Sequence, residues 1–224
     1  MVHKTRDIRG FRMLVHLLWF SVMSFCLVSC GHAPFYPVSL HYVPQQDISD
    51  NDIAPVNAVF AVADFQDNRS LANKAVVGKR LMSSGGEIDV TCQFEDTNRA
   101  VVSAIKEYLK RLGYTVGTDI ANWDLNVDSL SPDCGEFVIG GSIEELQIIC
   151  RSGLFSEQYE ARVRMSIVCG DVRQKRILYR STIEGSSQLK HISFSEDRVQ
   201  QELNNALSAV VEKILDLEMI NQAL

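Results

Sequence analysis

A two-layer α+β domain, with two main helices packed on one face of a mixed sheet that includes an antiparallel meander, is the fold class this sequence predicts. Three observations carry it. Tyr159, Ala161, Val163, Met165, Ile167 and Cys169 alternate with Glu160, Arg162, Arg164 and Ser166, the period-2 signature of a half-buried strand. Two stretches, near 97–112 and 199–217, instead repeat apolar residues at helical spacing. The chain order is strand, helix, strand, three-strand meander, helix.

The elements follow in order. Val56 to Phe65 is a continuous apolar run suited to a central strand buried on both faces, ending at the polar turn Gln66-Asp67-Asn68-Arg69-Ser70. Residues 71 to 95 read as an irregular connection, with a short strand at Glu87 to Cys92 as its one regular piece. Asp96 or Thr97 caps a helix whose Val101, Ile105, Tyr108 and Leu112 share a face, and Gly113 ends it at C′. Tyr114 to Val116 returns to the sheet parallel to the first strand, because a helical crossover joins parallel strands. After a polar interval at 121–133, Glu136 to Arg151 reads as a long strand with a bulge near Gly140-Gly141. Strand 159–169 follows, then a turn at Gly170-Asp171, then a strand through Ile177, Tyr179, Ser181 and Ile183. Ser193 or Ser195 caps the last helix, where Val199, Leu203, Leu207, Val210, Ile214 and Leu217 bury against the sheet and Glu202, Glu212, Asp216 and Glu218 lie outside.

The beginning of the chain has a different character. Lys4, Arg6, Arg9 and Arg12 precede an apolar run from Met13 to Ser29, the layout of a secretory signal. The run closes in Leu27-Val28-Ser29-Cys30 followed by Gly31, which resembles the lipobox of bacterial lipoproteins. That resemblance implies cleavage before Cys30, a diacylglyceryl thioether on its sulfur and acylation of the new amino group. Gly31, where inner-membrane lipoproteins tend to carry Asp, then implies the inner leaflet of an outer membrane, facing the periplasm. The alternative, an uncleaved span, is at the lower limit of length for crossing a bilayer.

Three segments result: a signal peptide at 1–29, a lipidated N-terminus and tether at 30–54, and a single α+β lipoprotein domain at 55–224. Pro34, Pro37 and Pro44 mark the tether, which spans roughly 25–30 Å as a flexible coil. Phe35, Tyr36, Leu40, Tyr42 and Val43 are too apolar for a passive spacer and point to packing on the domain or a partner. The leader holds four of the 22 basic and one of the 28 acidic residues, leaving 18 against 27, a mature balance of −9. That sign argues against nucleic acid as a partner.

The chain is similar to the YajG-type bacterial lipoproteins. The likeness rests on the lipobox, Val43-Pro44-Gln45-Gln46-Asp47, Asp67-Asn68-Arg69, Arg111-Leu112-Gly113-Tyr114, the meander, and Tyr179-Arg180 through Ile183-Glu184-Gly185 to Gln188. It implies an envelope lipoprotein of undefined biochemical role, with auxiliary lipoproteins of envelope lipid transport as an analogy of layout.

Candidate sites are few. Asp64 and Asp67, with Arg69 behind them, could form an acid/base pair at a strand end; the plainer alternative is an Asx turn at Asp67-Asn68 with Arg69 paired to an acid. Lys74, Lys79 and Arg80 near Gly85-Gly86 could hold a phosphate, although no P-loop pattern is present. Arg162, Arg164, Arg176 and Arg180 project from the meander opposite its apolar row, a basic stripe for docking an acidic partner or a lipid headgroup, or else a solvated face balanced by Glu160 and Glu184. Together with Asp67, Asn68 and Arg69 they are the partner-contact candidates. Cys92, Cys134, Cys150 and Cys169 are either disulfide partners or buried thiols, with the pair Cys150 and Cys169 held apart by the hairpin between them. His/Cys metal spacing and nucleophile motifs are not found. The reading expected from the sequence is therefore a non-enzymatic envelope protein without metal or cofactor beyond the lipid on Cys30, partnered by the membrane and by an unidentified envelope protein or lipid. A lipid or small-ligand carrier is the alternative, and a hydrolase ranks behind both.

Overall fold

The computed structural model describes residues 34–45, 58–93 and 96–215. The basic leader, both ends of the expected tether (30–33, with Cys30, and 46–54) and the far end of the last helix with Leu217 lie outside the described residues. The strands are β1 (Phe35–Val38), β2 (Val59–Asp67), β3 (Val76–Leu81), β4 (Glu87–Cys92), β5 (Thr115–Ala121), β6 (Phe137–Ser152), β7 (Glu157–Asp171) and β8 (Arg176–His191). The helices are α1 (Thr97–Arg111) and α2 (Glu196–Glu212), and short 3-10 turns lie at Val127–Ser129 and Pro132–Cys134. No helix among these residues is long and apolar enough to cross a membrane.

All eight strands join one mixed sheet, and β6 is its spine. One edge of β6 pairs in parallel with β2 through its first half, Phe60 opposite Phe137 to Asp67 opposite Ile143. The same edge pairs in parallel with β3 through its second half, Gly78 opposite Ile148 to Leu81 opposite Arg151. Its other edge carries β7 antiparallel along nearly its whole length, and β8 continues the meander. β5 lies parallel to β2, as a helical crossover requires. Both helices cover one face, α1 on β2 and β5, α2 on β7 and β8. The expected stripes are the buried ones: Val101, Ile105, Tyr108 and Leu112 in α1 and at its end, and Val199, Leu203, Leu207, Val210 and Ile214 along and just beyond α2. Gly113 sits at C′ with φ 89°, a conformation glycine adopts without steric cost.

Several local expectations shift. Residues 71–95 are not irregular but hold the β3–β4 hairpin, closed by Met82 N donating to Gly86 O. Its first strand does not alternate, because β3 is paired on both edges and half-buries a charged residue, Arg80. The irregularity expected near Gly140-Gly141 is present in the β2–β6 pairing, where Val62 to Phe65 faces Ile139 to Gly141 and the extra residue is on β2, and a second shift, between β6 and β7, falls at Ile143–Glu145. Those glycines serve close packing: a Cβ on Gly141 would lie 1.9 Å from the Ser166 carbonyl oxygen, and one on Gly140 2.7 Å from Leu125. The β7–β8 turn is Val172 to Lys175, so Gly170 and Asp171 still belong to β7. The N-cap positions are Asp96 and Ser195, yet neither side chain makes a capping bond.

Residues 34–45 also belong to the fold. β1 pairs with β4, and Leu40 and Tyr42 are buried in the main core. From Ser39 onward the segment runs along α2 on a ladder of side chains four residues apart. Ser39 N donates to Gln200 Oε1, His41 N to Asn204 Oδ1, Val43 N to Ser208 Oγ, and Gln45 N to Glu212 Oε1. The match is metrical: four helical residues rise about 6 Å and two extended residues about 6.6 Å. Glu202, expected on the outer face of this helix, is instead buried and accepts a hydrogen bond from Ser187.

The second face of the sheet is partly covered. Trp123, Leu130 and Cys134 from the 121–135 interval pack with Ala61, Ala63, Val138, Val168 and Val172 into a small second core. Beyond it, the outer halves of β6, β7 and β8 leave a polar face with no described helix over it.

Candidate functional site

The turn after β2 is built around a buried cation. Asp67 Oδ1 accepts from Arg69 N, the Asx-type bond that folds Asp67-Asn68-Arg69 back on itself. The Arg69 guanidinium then grips the same carboxylate with two prongs, Nε to Oδ1 at 2.9 Å and Nη2 to Oδ2 at 2.6 Å. Its remaining donors reach the carbonyls of Lys74, Val76 and Leu146. Thr97, the first residue of α1, donates to the Lys74 carbonyl as well. One side chain thus ties β2, the 69–75 turn, β3, β6 and the start of α1. Burial pushes the Asp67 carboxyl up, but the hydrogen bonds and charge of Arg69, with the charge of Lys74, outweigh it and hold the group below the usual range. Asp64 is exposed and accepts from Asn98 Nδ2 at 3.0 Å. Asn68 is exposed too and donates to Glu144.

Beside this clamp opens a cleft of about 740 Å³, lined by Asp67, Lys74, Thr97, Asn98 and Arg99 on one side and by Ser39 and Leu40 on the other. Ser39, Asn98 and Arg99 are missed by sequence reasoning. The signal for them is indirect, since the cleft forms only where β1 leads into the α2 ladder. Lys74, Lys79 and Arg80 do not converge on it as a phosphate trio. Lys74 bonds to the carbonyls of Asp67 and Arg69, Lys79 pairs with Glu87 at 2.8 Å, and Arg80 is engaged elsewhere.

Arg80 centres a second, half-buried cluster at the other end of β3. It pairs with Glu157 at 2.7 Å, donates to Tyr36 Oη and Ser152 Oγ, and stacks over the Phe194 ring at 3.8 Å. Tyr36 and Phe194 are themselves in ring contact, so β1, β3, β6 and the approach to α2 meet here.

The four meander arginines do not form one stripe. Arg162 and Arg164 share the uncovered face, and Arg164 stands between Glu145 on β6 and Glu184 on β8, with Glu184 at 3.8 Å. Arg180 donates to the Leu125 carbonyl at 3.2 Å and holds the 121–135 interval against the sheet. A register shift at Leu178 takes Arg176 out of the row and opposite Asp171, with which it pairs at 3.7 Å. The sequence could not show this, because alternation counts residues and the bulge adds one.

Cys92, Cys134, Cys150 and Cys169 are all buried thiols, and no disulfide joins them. Tyr159 lies opposite Cys150 and Ile139 opposite Cys169, which sets those two far apart along the hairpin, as its geometry predicts. Burial, with Glu157 adding to it and Arg80 opposing, pushes the Cys150 thiol up to about 12; burial and Asp171 do the same for Cys169. No cluster of three His, Cys, Asp or Glu suited to a metal ion occurs among the described residues.

No family model matches the chain, and no curated protein matches it. Among solved structures it is similar to a Xanthomonas campestris protein described by the family model DUF330, at TM-score 0.48 and 8% identity over 86% of this chain and 96% of that one. It is also similar to PelC of Paraburkholderia phytofirmans, solved as a dodecamer, at TM-score 0.37 and 16% identity over 70% and 90% of the two chains. A third is lipoprotein GNA1162 of Neisseria meningitidis, at TM-score 0.31 and 17% identity over 71% and 99%. At these identities and scores none of them assigns a function to this chain.

Proposed function

We propose that the chain is a lipid-anchored envelope protein that works by binding, a non-enzymatic component of an envelope assembly. In this reading Cys30 carries the lipid, the protein faces the periplasm from the inner leaflet of an outer membrane, and no other cofactor takes part. The lipobox supports the anchor. Two or more acyl chains make attachment stable, at roughly 0.8 kcal/mol per buried CH₂.

The observation that carries binding over hydrolysis is the state of Asp67. A general acid needs a free carboxyl with a raised pKa, whereas this one is gripped through both oxygens and held ionised by Arg69. The surface left for a partner is the uncovered face of β6–β8, centred on Arg162 and Arg164 with Glu145 and Glu184 beside them. Mixed charge of this kind favours specific orientation more than raw affinity. A carrier asks for an apolar cavity between sheet and helices; the cleft at the start of α1 has a mixed lining, in which Asp67, Lys74, Asn98 and Arg99 stand beside Leu40 and Ala100, and the charged side chains suit a polar group better than an acyl chain.

Crosslinking in intact envelopes tests this with the lipidated full chain and its Arg162→Glu/Arg164→Glu variant. The expected result is a stoichiometric protein partner captured by the native chain and lost in the variant. Equal capture by both removes the docking face. Co-purified lipid without a protein partner favours the carrier.

A further inference from the structure

Exposed large hydrophobic side chains gather at one end of the sheet, with Leu71 and Val127 lying apart from them. Leu154 and Phe155, 90% and 89% exposed, form the two-residue tip of the β6–β7 hairpin, closed by Gly153 N donating to Ser156 O. Ile192, 83% exposed, directly follows His191, which lies opposite Glu157 at the foot of that tip. Met82 opens the β3–β4 turn one residue past Leu81, which pairs with Arg151 at the same end of the sheet. Single exposed apolar residues are ordinary, but a contiguous group at one end of a molecule marks a contact surface.

The start of β1 indicates what that surface meets. Phe35, also exposed, lies opposite Asp89, and the register runs on through Lys79 to Ile149. β1 leads away from the hairpin end, so the chain enters the domain from that end. Cys30 is five residues before Phe35, a reach of at most about 17 Å. The hairpin tip stands five residues beyond the level of Ile149, about 16 Å at extended spacing. A membrane that holds a lipid on Cys30 is therefore never farther from Phe35 than about the depth the tip can span.

We propose that Leu154, Phe155 and Ile192, with Met82 at their flank, dip into the bilayer interface beside the lipidated N-terminus and fix the orientation of the domain on the membrane. The proposal rests on the lipid-anchor reading. The contact is shallow, because the amides of the turn keep water or headgroup partners only at interfacial depth. It is apolar, so it needs no anionic lipid.

The test uses the full-length lipidated protein carrying Phe155→Trp, reconstituted into phosphatidylcholine vesicles with and without brominated acyl chains. Native protein, with its buried Trp123, supplies the background. The expected result is blue-shifted emission from the introduced indole that is lost when brominated chains are present, at low and high salt alike. Intact mass of the same sample reports the lipid on Cys30. An unlipidated chain overturns the anchor and this proposal with it. A lipidated chain whose added emission stays red-shifted and unquenched overturns the tip contact alone, as does emission that responds to protein concentration and not to brominated lipid, which assigns the tip to a second copy.

Discussion

Arg69 is the residue on which most local structure converges, and its character was half legible. Pairing with an acid follows from the sequence, since Asp67 is two residues away; the three carbonyls it also satisfies come from Lys74, Val76 and Leu146, and only the fold brings the last of these near. Replacing it by Met leaves those carbonyls and a largely buried carboxylate without their partner, so Arg69→Met lowers stability by about 3–5 kcal/mol in urea unfolding. A loss below about 1 kcal/mol would mean that water replaces the guanidinium. The cysteines make a second residue-scale prediction. Because burial holds the thiols of Cys150 and Cys169 protonated, the native protein at pH 8 leaves both unlabelled by iodoacetamide until denaturant is added, as peptide mass spectrometry reads directly. The sign also runs through stability. Unfolding lowers these pKa values, so the contribution is full at neutral pH and is lost as pH rises from the ordinary thiol value toward about 12.

Elements with a clean period were legible, and those stabilised by distant partners were not. The alternation of 159–169, the α1 stripe and the α2 stripe from Val199 to Ile214 are as the sequence reads, as is Gly113 at C′. β3 was missed because its pairing partners, not its own pattern, make it a strand. Residues 34–45 looked like a tether because of their prolines. What fixes them is the row Gln200, Asn204, Ser208 and Glu212, a period-4 polar signal beside the apolar stripe of α2, legible only once an extended segment is known to need it. Asn204 is the centre of this ladder, accepting from His41 N and donating to Ser39 O while 1% exposed. Its change to Ala leaves both backbone groups unpaired and costs about 1–3 kcal/mol. Limited proteolysis then cuts within 34–45 before the rest of the domain; cleavage at the native rate would show that β1 alone holds the segment.

At the scale of the molecule, the α+β class and two-layer order follow from element types, while the sharing of one β6 edge by β2 and β3 does not, since nothing local in either strand names its partner. The motifs behind the family resemblance turn out to serve the architecture. Asp67-Asn68-Arg69 makes the clamp, Gly113 ends α1, Tyr179 donates to the Ile214 carbonyl, and Gly185 lets α2 approach β8, where a Cβ would stand 2.6 Å from Ala206 O. Residues used in this way specify a fold rather than a reaction, which is why the fold was more readable than the activity. Binding from within the envelope rests on attachment through Cys30. Intact mass of the native chain extracted from membranes tests it most directly: a chain beginning at Cys30 and carrying glyceride and acyl mass is the predicted result, and a chain retaining Met1, or one with an unmodified Cys30, would contradict it.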